Sequence, residues 1–354
     1  MTREPIRIGS RLVGPGHPTY IIAEIGSNFD GSLERARALI DAAAEVGCDA
    51  AKFQTFLPER IIRAPAFGIA TGFQARWDRP VDEVYRDAAL PREWHAELAL
   101  HARKSGVDFF SSPYDREGVD LLEGLEVPAH KIGSGDITWL DFCEYVASKG
   151  RPVILGTGAS TLAEVDQAVR AMRATGNDQM IVLQCVTDYP SEFGDANIRA
   201  MVTMGEALGT LVGYSDHTPG HTVPLGAVAH GACVIEKHFT DDTGRSGPDH
   251  PFAMDIPAMA SMVREIRNLE AALGDGVKRL MPSERETVVL QRRGLTAARD
   301  LSAGHVLEAG DISVLRPARG LAPSDLRLVL GWSLGRDIAA GQPIEADSLS
   351  RPPG

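Results

Sequence analysis

Short apolar segments alternate with longer amphipathic segments from about residue 20 to residue 272. Each short segment has the length and composition of a buried strand, whereas each longer segment repeats its apolar residues at helical spacing. We count eight such pairs. The predicted strands are residues 20–25, 50–54, 107–111, 129–133, 152–156, 181–185, 211–215 and 233–237.

Capping residues set the ends of the predicted helices. The first helix is expected between Ser32 and Gly47, and the fifth between Ser160 or Thr161 and Gly176, because Ser and Thr cap helix starts and glycine often follows helix ends. Eight strand–helix units in about 250 residues are typical of an α/β fold of the (β/α)₈ TIM-barrel type. The alternative is a doubly wound open sheet, but no G-x-G-x-x-G follows the first strand.

The pattern changes after the eighth helix. Residues 274–291 are polar and are predicted to form a linker between a barrel domain, residues 1–273, and a second domain, residues 292–354. The phrases DLSAGHVLEAGDI and DIAAGQPIEADSL in that domain share an aspartate, an Ala-Gly turn and a second acidic turn. Such repetition predicts a small, internally repetitive β-rich domain.

Composition narrows the functional class. Of 354 residues, 44% are hydrophobic and 24% are charged, which is typical of a globular protein. The N-terminal MTREPIRIGSRLVG lacks the apolar core of a signal peptide, and no apolar run approaches the roughly 18 residues of a membrane span, so we expect a cytoplasmic protein. The net charge of -12 disfavours nucleic-acid binding. An anionic substrate must therefore be held by a local cluster of positive groups.

Polar residues collect at the predicted carboxyl ends of the strands, where the active site of a parallel barrel lies. They are Glu24, Lys52, Gln54, Ser111, Ser112, Lys131, Ser134, Thr157, Thr187, Tyr189, Ser215, His217, Glu236 and His238. The fold would bring all of them to one rim.

Two of these residues suggest a metal site. His217 and His238 follow neighbouring strands, so their imidazoles are expected at a similar height, near enough to share one divalent ion. With water or substrate as the other ligands, such an open site suits a Lewis acid for a carbonyl. Glu236 would then accept a hydrogen bond from a ligand or hold metal-bound water. The alternative is that each histidine only caps its strand.

Lys52 and Lys131 lie inside otherwise apolar strands, where an ammonium is costly to bury without a compensating anion. A bound phosphate or carboxylate would compensate, assisted by Ser134, Ser215 and the glycine-rich turn LGTGAS. This pattern predicts a binding site for a small anion.

Other interpretations of the same residues remain open. The lysines could form structural ion pairs with Glu24 and Asp136, or either could be the Schiff-base nucleophile of a class I aldolase. A third hypothesis is a carbohydrate-binding protein without catalytic activity. The other histidines are expected at surface, core or cap positions, and His250, beside Asp249 in the GRSGPDH loop, is expected in a structural turn.

At these residues the chain resembles the sialic acid synthase (N-acetylneuraminate synthase) family. The matching segments are IIAEIGSNFDGS, AAKFQTF, FFSSPYD, HKIGSGD, GYSDHT and EKHFTDDTGRSGPDH, in the family's order and across the whole barrel. The C-terminal region is similar to the antifreeze-like (SAF) domain that follows the barrel in that family. The resemblance implies that carbon three of phosphoenolpyruvate attacks the open-chain aldehyde of an N-acylated mannosamine, water adds at carbon two, and phosphate leaves by C–O cleavage.

The resemblance also implies roles for the polar strand ends. The phosphate would be held by Lys131, Ser134 and Ser215, and the carboxylate by Lys52, Ser111 and Ser112. A divalent ion, manganese or magnesium, would be bound by His217 and His238. The sugar would be bound by Gln54, Thr187, Tyr189 and Asp249. Further substrate contacts would come from Asp136 and Thr157, and Glu24 would be the general base toward water, with Glu236 as a further catalytic residue.

An arginine of the second domain matches one that reaches into a neighbouring subunit in the family. Arg316 in LRPARGL corresponds to the residue that contacts the N-acyl group in the partner's barrel. The resemblance therefore implies a domain-exchanged homodimer.

The chain departs from the family pattern at three places. It has LGTGAS where relatives usually read LSTGM, so Gly156 removes one phosphate-facing hydroxyl, and we expect weaker phosphate binding. Thr187 replaces a common asparagine, and RPARG replaces RPG-x-G. The last two changes leave the acceptor open: N-acetylmannosamine, its 6-phosphate, or a deoxy-diacetamido sugar that leads to legionaminic or pseudaminic acid.

Overall fold

The computed structural model describes residues 3–63, 65–66, 72–77 and 79–350. The chain forms two compact units, residues 1–274 and 275–354. In the described part of the chain, every helix is too short or too polar to span a bilayer.

The first unit is a parallel β/α barrel. A hairpin of β1 (Ile6–Ile8) and β2 (Arg11–Val13) precedes it. The barrel strands are β3 (Tyr20–Glu24), β4 (Ala50–Thr55), β5 (Asp108–Pro113), β6 (His130–Ile132), β7 (Val153–Gly156), β8 (Met180–Cys185), β9 (Leu211–Asp216) and β10 (Val234–His238). They are hydrogen-bonded in the order β5-β4-β3-β10-β9-β8-β7-β6. The predicted (β/α)₈ fold is confirmed.

Helices follow the barrel strands along the chain. They are α1 (Leu33–Glu45), α2 (Pro58–Ile61), α3 (Val81–Ala88), α4 (His95–Ser105), α5 (Arg116–Gly124), α6 (Leu140–Ala147), α7 (Leu162–Ala174), α8 (Ile198–Leu208), α9 (Thr222–Ala229) and α10 (Ile256–Leu273). Single 3₁₀ turns occupy Phe73–Arg76, Arg92–Trp94, Ser134–Asp136, Phe193–Asp195 and His250–Phe252.

The predicted caps are confirmed for the two helices named from the sequence. The Ser32 side chain accepts a hydrogen bond from the backbone N–H of Arg35 at the start of α1. Thr161 and Glu164 form a reciprocal capping box at the start of α7, so Thr161 rather than Ser160 is the cap. These bonds satisfy N–H groups that a helix start leaves without partners.

The barrel interior has an apolar floor and a polar mouth. Ile8 and Val13 of the hairpin are fully buried in a cluster with Ile22 and other inward side chains at the lower end of the strands. Because residues two apart on a strand face the same side, the next inward residue of β3 after Ile22 is Glu24. The hairpin thus closes one end, and charged groups occupy the other.

A buried ion pair ties β9 to β10 on their outward faces. Lys237 Nζ lies 2.5 Å from Asp216 Oδ2, and both residues are buried. Asp216 Oδ1 also accepts hydrogen bonds from Thr218 N at 3.1 Å and Thr218 Oγ1 at 2.9 Å. Burial lowers the pKa of Lys237, and Asp216 acts in the opposite direction. The pair therefore anchors the backbone on either side of His217 to the strand that carries His238.

The second unit contains short strands and turns, as the sequence predicted. Its elements are α11 (Arg285–Gln291), β11 (Gly294–Ala297), β12 (Ile312–Leu315), α12 (Leu326–Val329), β13 (Ser333–Leu334) and β14 (Leu349–Ser350), with 3₁₀ turns at Pro282–Glu284, Ala309–Asp311, Pro323–Asp325 and Ala346–Ser348. The segment expected to be a linker, residues 274–291, includes α11.

The internal repeat of the second unit has a structural counterpart. Asp300 Oδ1 accepts a hydrogen bond from Ala340 N, and Asp337 Oδ1 accepts one from Ala303 N, both at 2.7 Å. Each repeat thus provides an aspartate that binds the turn of the other. The shared aspartate and Ala-Gly turn in the sequence mark this reciprocal arrangement.

Candidate active site

One cavity at the carboxyl ends of the barrel strands gathers most of the predicted site residues. Its volume is about 400 Å³. Fourteen predicted residues line it: Glu24, Lys52, Gln54, Ser112, Lys131, Ser134, Asp136, Thr187, Tyr189, Ser215, His217, Glu236, His238 and Asp249. Adjacent strands of the barrel bring these distant sequence positions together.

Two lysines and two glutamates form a buried charge cluster in this cavity. Lys52 Nζ lies 2.6 Å from Glu24 Oε2 and 3.7 Å from Glu236 Oε1. Lys131 Nζ lies 3.7 Å from the same oxygen of Glu236, which also accepts a hydrogen bond from Ser215 Oγ at 3.1 Å. Glu236 therefore contacts both lysines and Ser215. All four charged residues are buried, so neither ammonium reaches bulk solvent.

The ion pairs differ in part from those considered from the sequence. Lys52 pairs with Glu24 as that alternative required, but Lys131 pairs with Glu236 rather than Asp136. Burial raises the pKa of Asp136 to about 6, and Lys131 opposes that shift. Asp136 lines the cavity with one buried carboxylate oxygen that has no hydrogen-bond partner among the described residues.

The two glutamates have opposite pKa shifts. Burial raises the pKa of Glu24 to about 7, with Lys52 opposing the shift and Glu236 adding to it. Burial also acts on Glu236, but Lys131 and Lys52 outweigh it, so its pKa lies below the ordinary value. Glu236 therefore stays ionised and holds both ammonium groups, whereas Glu24 can exchange a proton near neutral pH. Gln54 Nε2 donates to Glu24 Oε1 at 2.8 Å and orients it.

The two imidazoles predicted from neighbouring strands lie side by side. The ring centroids of His217 and His238 are 5.4 Å apart. Val186 O accepts a hydrogen bond from His217 Nδ1 at 2.7 Å, so Nε2 carries the lone pair when the ring is neutral. Burial lowers the pKa of His217, but Cys185 and the Val186 carbonyl outweigh it, so the pKa lies above the ordinary value and a metal ion would have to displace a proton from the ring. His238 Nδ1 is buried without a hydrogen-bond partner among the described residues, and the Asp249 carboxylate is 3.9 Å away.

This arrangement fits a shared divalent ion. A metal ion at about 2.1 Å from a ring nitrogen lies about 3 Å from the ring centroid, so two rings on one ion place their centroids about 5 Å apart. Burial, followed by the positive charges of His217 and Lys52, lowers the pKa of His238 well below its ordinary value. The neutral imidazole is the form that binds metals. The described residues contain no enclosing group of three His, Cys, Asp or Glu, so other ligands would be water or substrate.

A glycine shapes the corner between β6 and β7. Ser134 Oγ accepts a hydrogen bond from Gly158 N at 3.0 Å, so its own proton can be donated to a ligand. A Cβ atom on Gly156 would lie only 2.8 Å from Ser134 Oγ and 3.2 Å from Lys131 Nζ. Ser134 and Lys131 therefore occupy the space that a side chain at position 156 would need. A side chain at this position would displace both groups and would not simply add a hydroxyl to the site.

Ser111 and Thr157, also predicted as substrate contacts, are not among the residues that line this cavity. Ser111 Oγ lies 2.6 Å from Thr55 Oγ1, which lies 2.6 Å from His95 Nε2 on α4. Alternation along β5 turns Ser111 toward the helices and leaves only Ser112 facing inward. Thr157 Oγ1 donates to Leu183 O at 2.8 Å and is thereby used in joining two strand ends.

Arg316 and His250 are not among the residues that line the cavity. Arg316 lies in the second unit, directly after β12, with an exposed side chain. His250 is buried, with Thr240 Oγ1 at 2.7 Å from Nδ1 and Asp30 Oδ1 at 2.8 Å from Nε2. The expected structural role of His250 is confirmed.

The sequence reasoning missed the aromatic part of the lining. Phe56, Trp77 and Tyr85 line the cavity from the chain between β4 and α4, and Phe252 lines it from the loop after β10. Tyr189 packs between His217 and Phe252, with ring centroids 4.2 Å and 5.0 Å away. These residues lie outside the periodic segments. Their concentration in the segments that follow β4 and β10 was the available signal.

Comparison with known proteins agrees with this geometry. A model described as the NeuB family matches residues 39–278, and a SAF domain model matches residues 292–350. The N,N'-diacetyllegionaminic acid synthase of Campylobacter jejuni is 37% identical over 88% of this chain and 95% of its own. The N-acetylneuraminate-9-phosphate synthase of Mus musculus is 32% identical over 89% of this chain and 88% of its own.

A solved structure gives the same relationship. The N-acetylneuraminic acid (sialic acid) synthetase of Leptospira borgpetersenii, in complex with citrate, is 31% identical and has a TM-score of 0.72. The match covers 81% of this chain and 95% of that one. The family model and the near full-length relatives together show that this chain belongs to the NeuB family.

Proposed function

We propose that the chain is a nonulosonic acid synthase. It joins phosphoenolpyruvate to the open-chain aldehyde of an N-acyl mannosamine-type sugar and releases phosphate by C–O cleavage. The observation that carries the proposal is a single cavity in which two buried ammonium groups lie beside two imidazoles. The first pair complements a small anion, and the second suits a carbonyl that is polarised by a divalent ion.

The lysine end of the cavity binds phosphoenolpyruvate in this proposal. Lys131, Ser134 and Ser215 hold the phosphate, and Lys52 with Ser112 contacts the carboxylate. Lys52 Nζ donates to Ser112 Oγ at 3.3 Å, so these two groups already face the same region. The glutamates fix the ammonium groups in place before the anion arrives, which reduces the reorganisation that binding requires.

The imidazole end receives the aldehyde. His217 and His238 would hold a divalent ion, manganese or magnesium, which supplies Lewis-acid polarisation of the aldehyde oxygen when bound. The Val186 carbonyl fixes the His217 tautomer, and the Tyr189 ring restricts the orientation of its imidazole. Carbon three of phosphoenolpyruvate then forms the new C–C bond, and the carbonyl electron pair moves to the aldehyde oxygen.

Glu24 accepts the proton from water in the second half of the reaction. The water oxygen bonds to carbon two, and its proton moves to the Glu24 carboxylate. The alkoxide formed from the aldehyde takes up a proton. The bond between carbon two and the phosphate oxygen then breaks, phosphate leaves with the electron pair, and the hydroxyl on carbon two gives its remaining proton to the departing phosphate and becomes the ketone. The pKa of about 7 lets Glu24 take up and return a proton near neutral pH.

The Schiff-base aldolase alternative is disfavoured by the lysine environment. Burial lowers the pKa of Lys52, but Glu236 and Glu24 outweigh it, so the pKa lies above the ordinary value. A Schiff-base lysine must lose its proton to attack a carbonyl and usually has a lowered pKa. Lys131 is also held by a carboxylate.

The proposal includes the organisation that the resemblance implies. The barrel domain comprises residues 1–273, the linker residues 274–291 and the antifreeze-like domain residues 292–354. The SAF domain match supports the last of these. The functional unit is a domain-exchanged homodimer in the cytoplasm, in which Arg316 contacts the N-acyl group of the partner's acceptor. Its exposed side chain is compatible with that role.

The direct test is phosphate release from phosphoenolpyruvate with Mn²⁺ and a panel of N-acyl hexosamines. We expect EDTA to abolish turnover, and His217→Ala to lower kcat/KM by about 100-fold or more, because a metal ligand is removed. The melting temperature should change little. His230→Ala, at an exposed histidine, is the matched control. Absence of phosphate release across the panel, or a borohydride-trapped adduct with pyruvate, would refute the proposal.

The pH profile tests the role of Glu24. The base must be ionised, and its raised pKa means that this form is lost as the pH falls through about 7. We therefore expect kcat/KM to fall about tenfold per pH unit below that value and to level off above it. Glu24→Gln should have low activity without this acid limb. An unchanged limb in Glu24→Gln would assign the titration to another group.

Substitutions of Gly156 test the corner beside Ser134. Gly156→Ala and Gly156→Ser should both raise KM for phosphoenolpyruvate by about tenfold, because either Cβ displaces Ser134 and Lys131. If Gly156 merely lacked a hydroxyl, serine would lower KM and alanine would leave it unchanged.

A further inference from the structure

The cavity has a cationic end and a second end whose described lining, apart from Asp249, is uncharged. Among the described residues that line it, the lysines and arginines are limited to Lys52 and Lys131. Away from them the lining is mainly aromatic or neutral, and Asp249 contributes a carboxyl group. Asp249 Oδ2 accepts hydrogen bonds from Ser27 N at 3.1 Å and Ser27 Oγ at 2.9 Å. Among the described residues that line this end, none is a lysine or an arginine, and the proposed dimer would add Arg316 of the neighbouring subunit at the N-acyl group.

The uncharged end continues into a second cavity. That outer cavity has a volume of about 860 Å³. The residues that line both cavities, which we call the neck, are Ser27, Trp77, Val84, Ala88, Tyr189, Pro248 and Phe252. None carries a charge at neutral pH. A molecule that extends from the lysines past the imidazoles toward the outer cavity must therefore pass apolar and aromatic side chains.

The position of the imidazoles fixes which end of an acceptor enters the neck. Tyr189 and Phe252 belong to the neck and also contact the two histidines, with ring centroids 4.2 Å from His217 and 4.9 Å from His238, respectively. An aldehyde held at the imidazoles therefore has its remote end among the neck residues. That end loses water to an apolar surface, which favours a methyl group and disfavours a charged one.

Two arginines are among the described residues that line the outer cavity, and each is already paired with carboxylates. Arg79 lies 2.8 Å from Asp87 and 3.3 Å from Glu83. Arg245 makes a two-pronged pair with Asp241, with both distances 2.9 Å. A phosphate would have to compete with these carboxylates to gain a cation. Neither arginine offers the uncommitted positive charge that a terminal phosphate requires.

We propose that the acceptor is an amino sugar without a phosphate group, and that the neck favours an apolar substituent, such as a deoxy methyl group, at the end remote from the aldehyde. This inference rests on the proposed function, because it assumes that the aldehyde lies at the imidazoles. It selects among the acceptors that the sequence left open. A 6-phosphate would bring a dianion to a neck whose described residues are all neutral and whose Ser27 is hydrogen-bonded to the Asp249 carboxyl group.

The test compares N-acetylmannosamine, its 6-phosphate and its 6-deoxy analogue at a fixed concentration of phosphoenolpyruvate and Mn²⁺. We expect kcat/KM for the 6-phosphate to be at least about 100-fold below that for the unphosphorylated sugar, and the 6-deoxy analogue to be about threefold better than the latter. A 6-phosphate used as well as the unphosphorylated sugar would overturn this inference alone. No turnover with any acceptor would overturn the proposed function and this inference with it.

A substitution in the neck tests the same inference independently of the choice of acceptor analogue. Ala88 is half-buried at the end of α3, where a longer side chain can reach the cavity. Ala88→Lys should raise the ratio of kcat/KM for the 6-phosphate to that for the unphosphorylated sugar by about tenfold relative to Ala88→Met, because the two side chains have similar length but differ in charge. Equal ratios in the two variants would show that charge in the neck does not set the specificity.

Discussion

The rest of this molecule depends on four buried charged groups at the mouth of the barrel. They are two ammonium groups and two carboxylates that contact each other. Burying four charges is costly, and the mutual attraction of Lys52, Lys131, Glu24 and Glu236 offsets that cost only while their geometry is kept. The apolar floor and the closing hairpin provide the rigid base that keeps it. Binding of a small anion explains why the cluster is buried, because the two ammonium groups would then bind substrate and would not serve stability alone.

The residues proposed to bind the anion and those proposed to activate the aldehyde lie on different barrel strands. Lysines from β4 and β6 face the proposed anion, whereas the imidazoles lie at the ends of β9 and β10, anchored from behind by Lys237 and Asp216. In the proposed function, the two reactants meet at the barrel mouth between these strands. The chain between β4 and α4, which includes α3, and the loop after β10 supply the aromatic part of the cavity lining. The strands thus fix the positions of the charges, and the loops select the substrate.

The sequence predicted what depends on local periodicity. The eight strands, the caps at Ser32 and Thr161, and the adjacent positions of His217 and His238 all follow from spacing along the chain. Other features of the site could not be predicted from spacing. Two adjacent serines in FFSSPYD cannot both face inward, and the sequence does not set the phase of that alternation. The partner of Lys131 and the crowding at Gly156 depend on contacts between strands that are far apart in sequence.

The central claim is that the two buried ammonium groups exist to bind an anionic substrate. The most direct measurement is calorimetric titration of phosphoenolpyruvate into wild type, Lys131→Met and, as a control at an exposed position, Lys104→Met, without metal or acceptor. The account predicts affinity at least about 30-fold weaker for Lys131→Met and unchanged for Lys104→Met. Equal affinity of wild type and Lys131→Met, with both proteins folded, would contradict it.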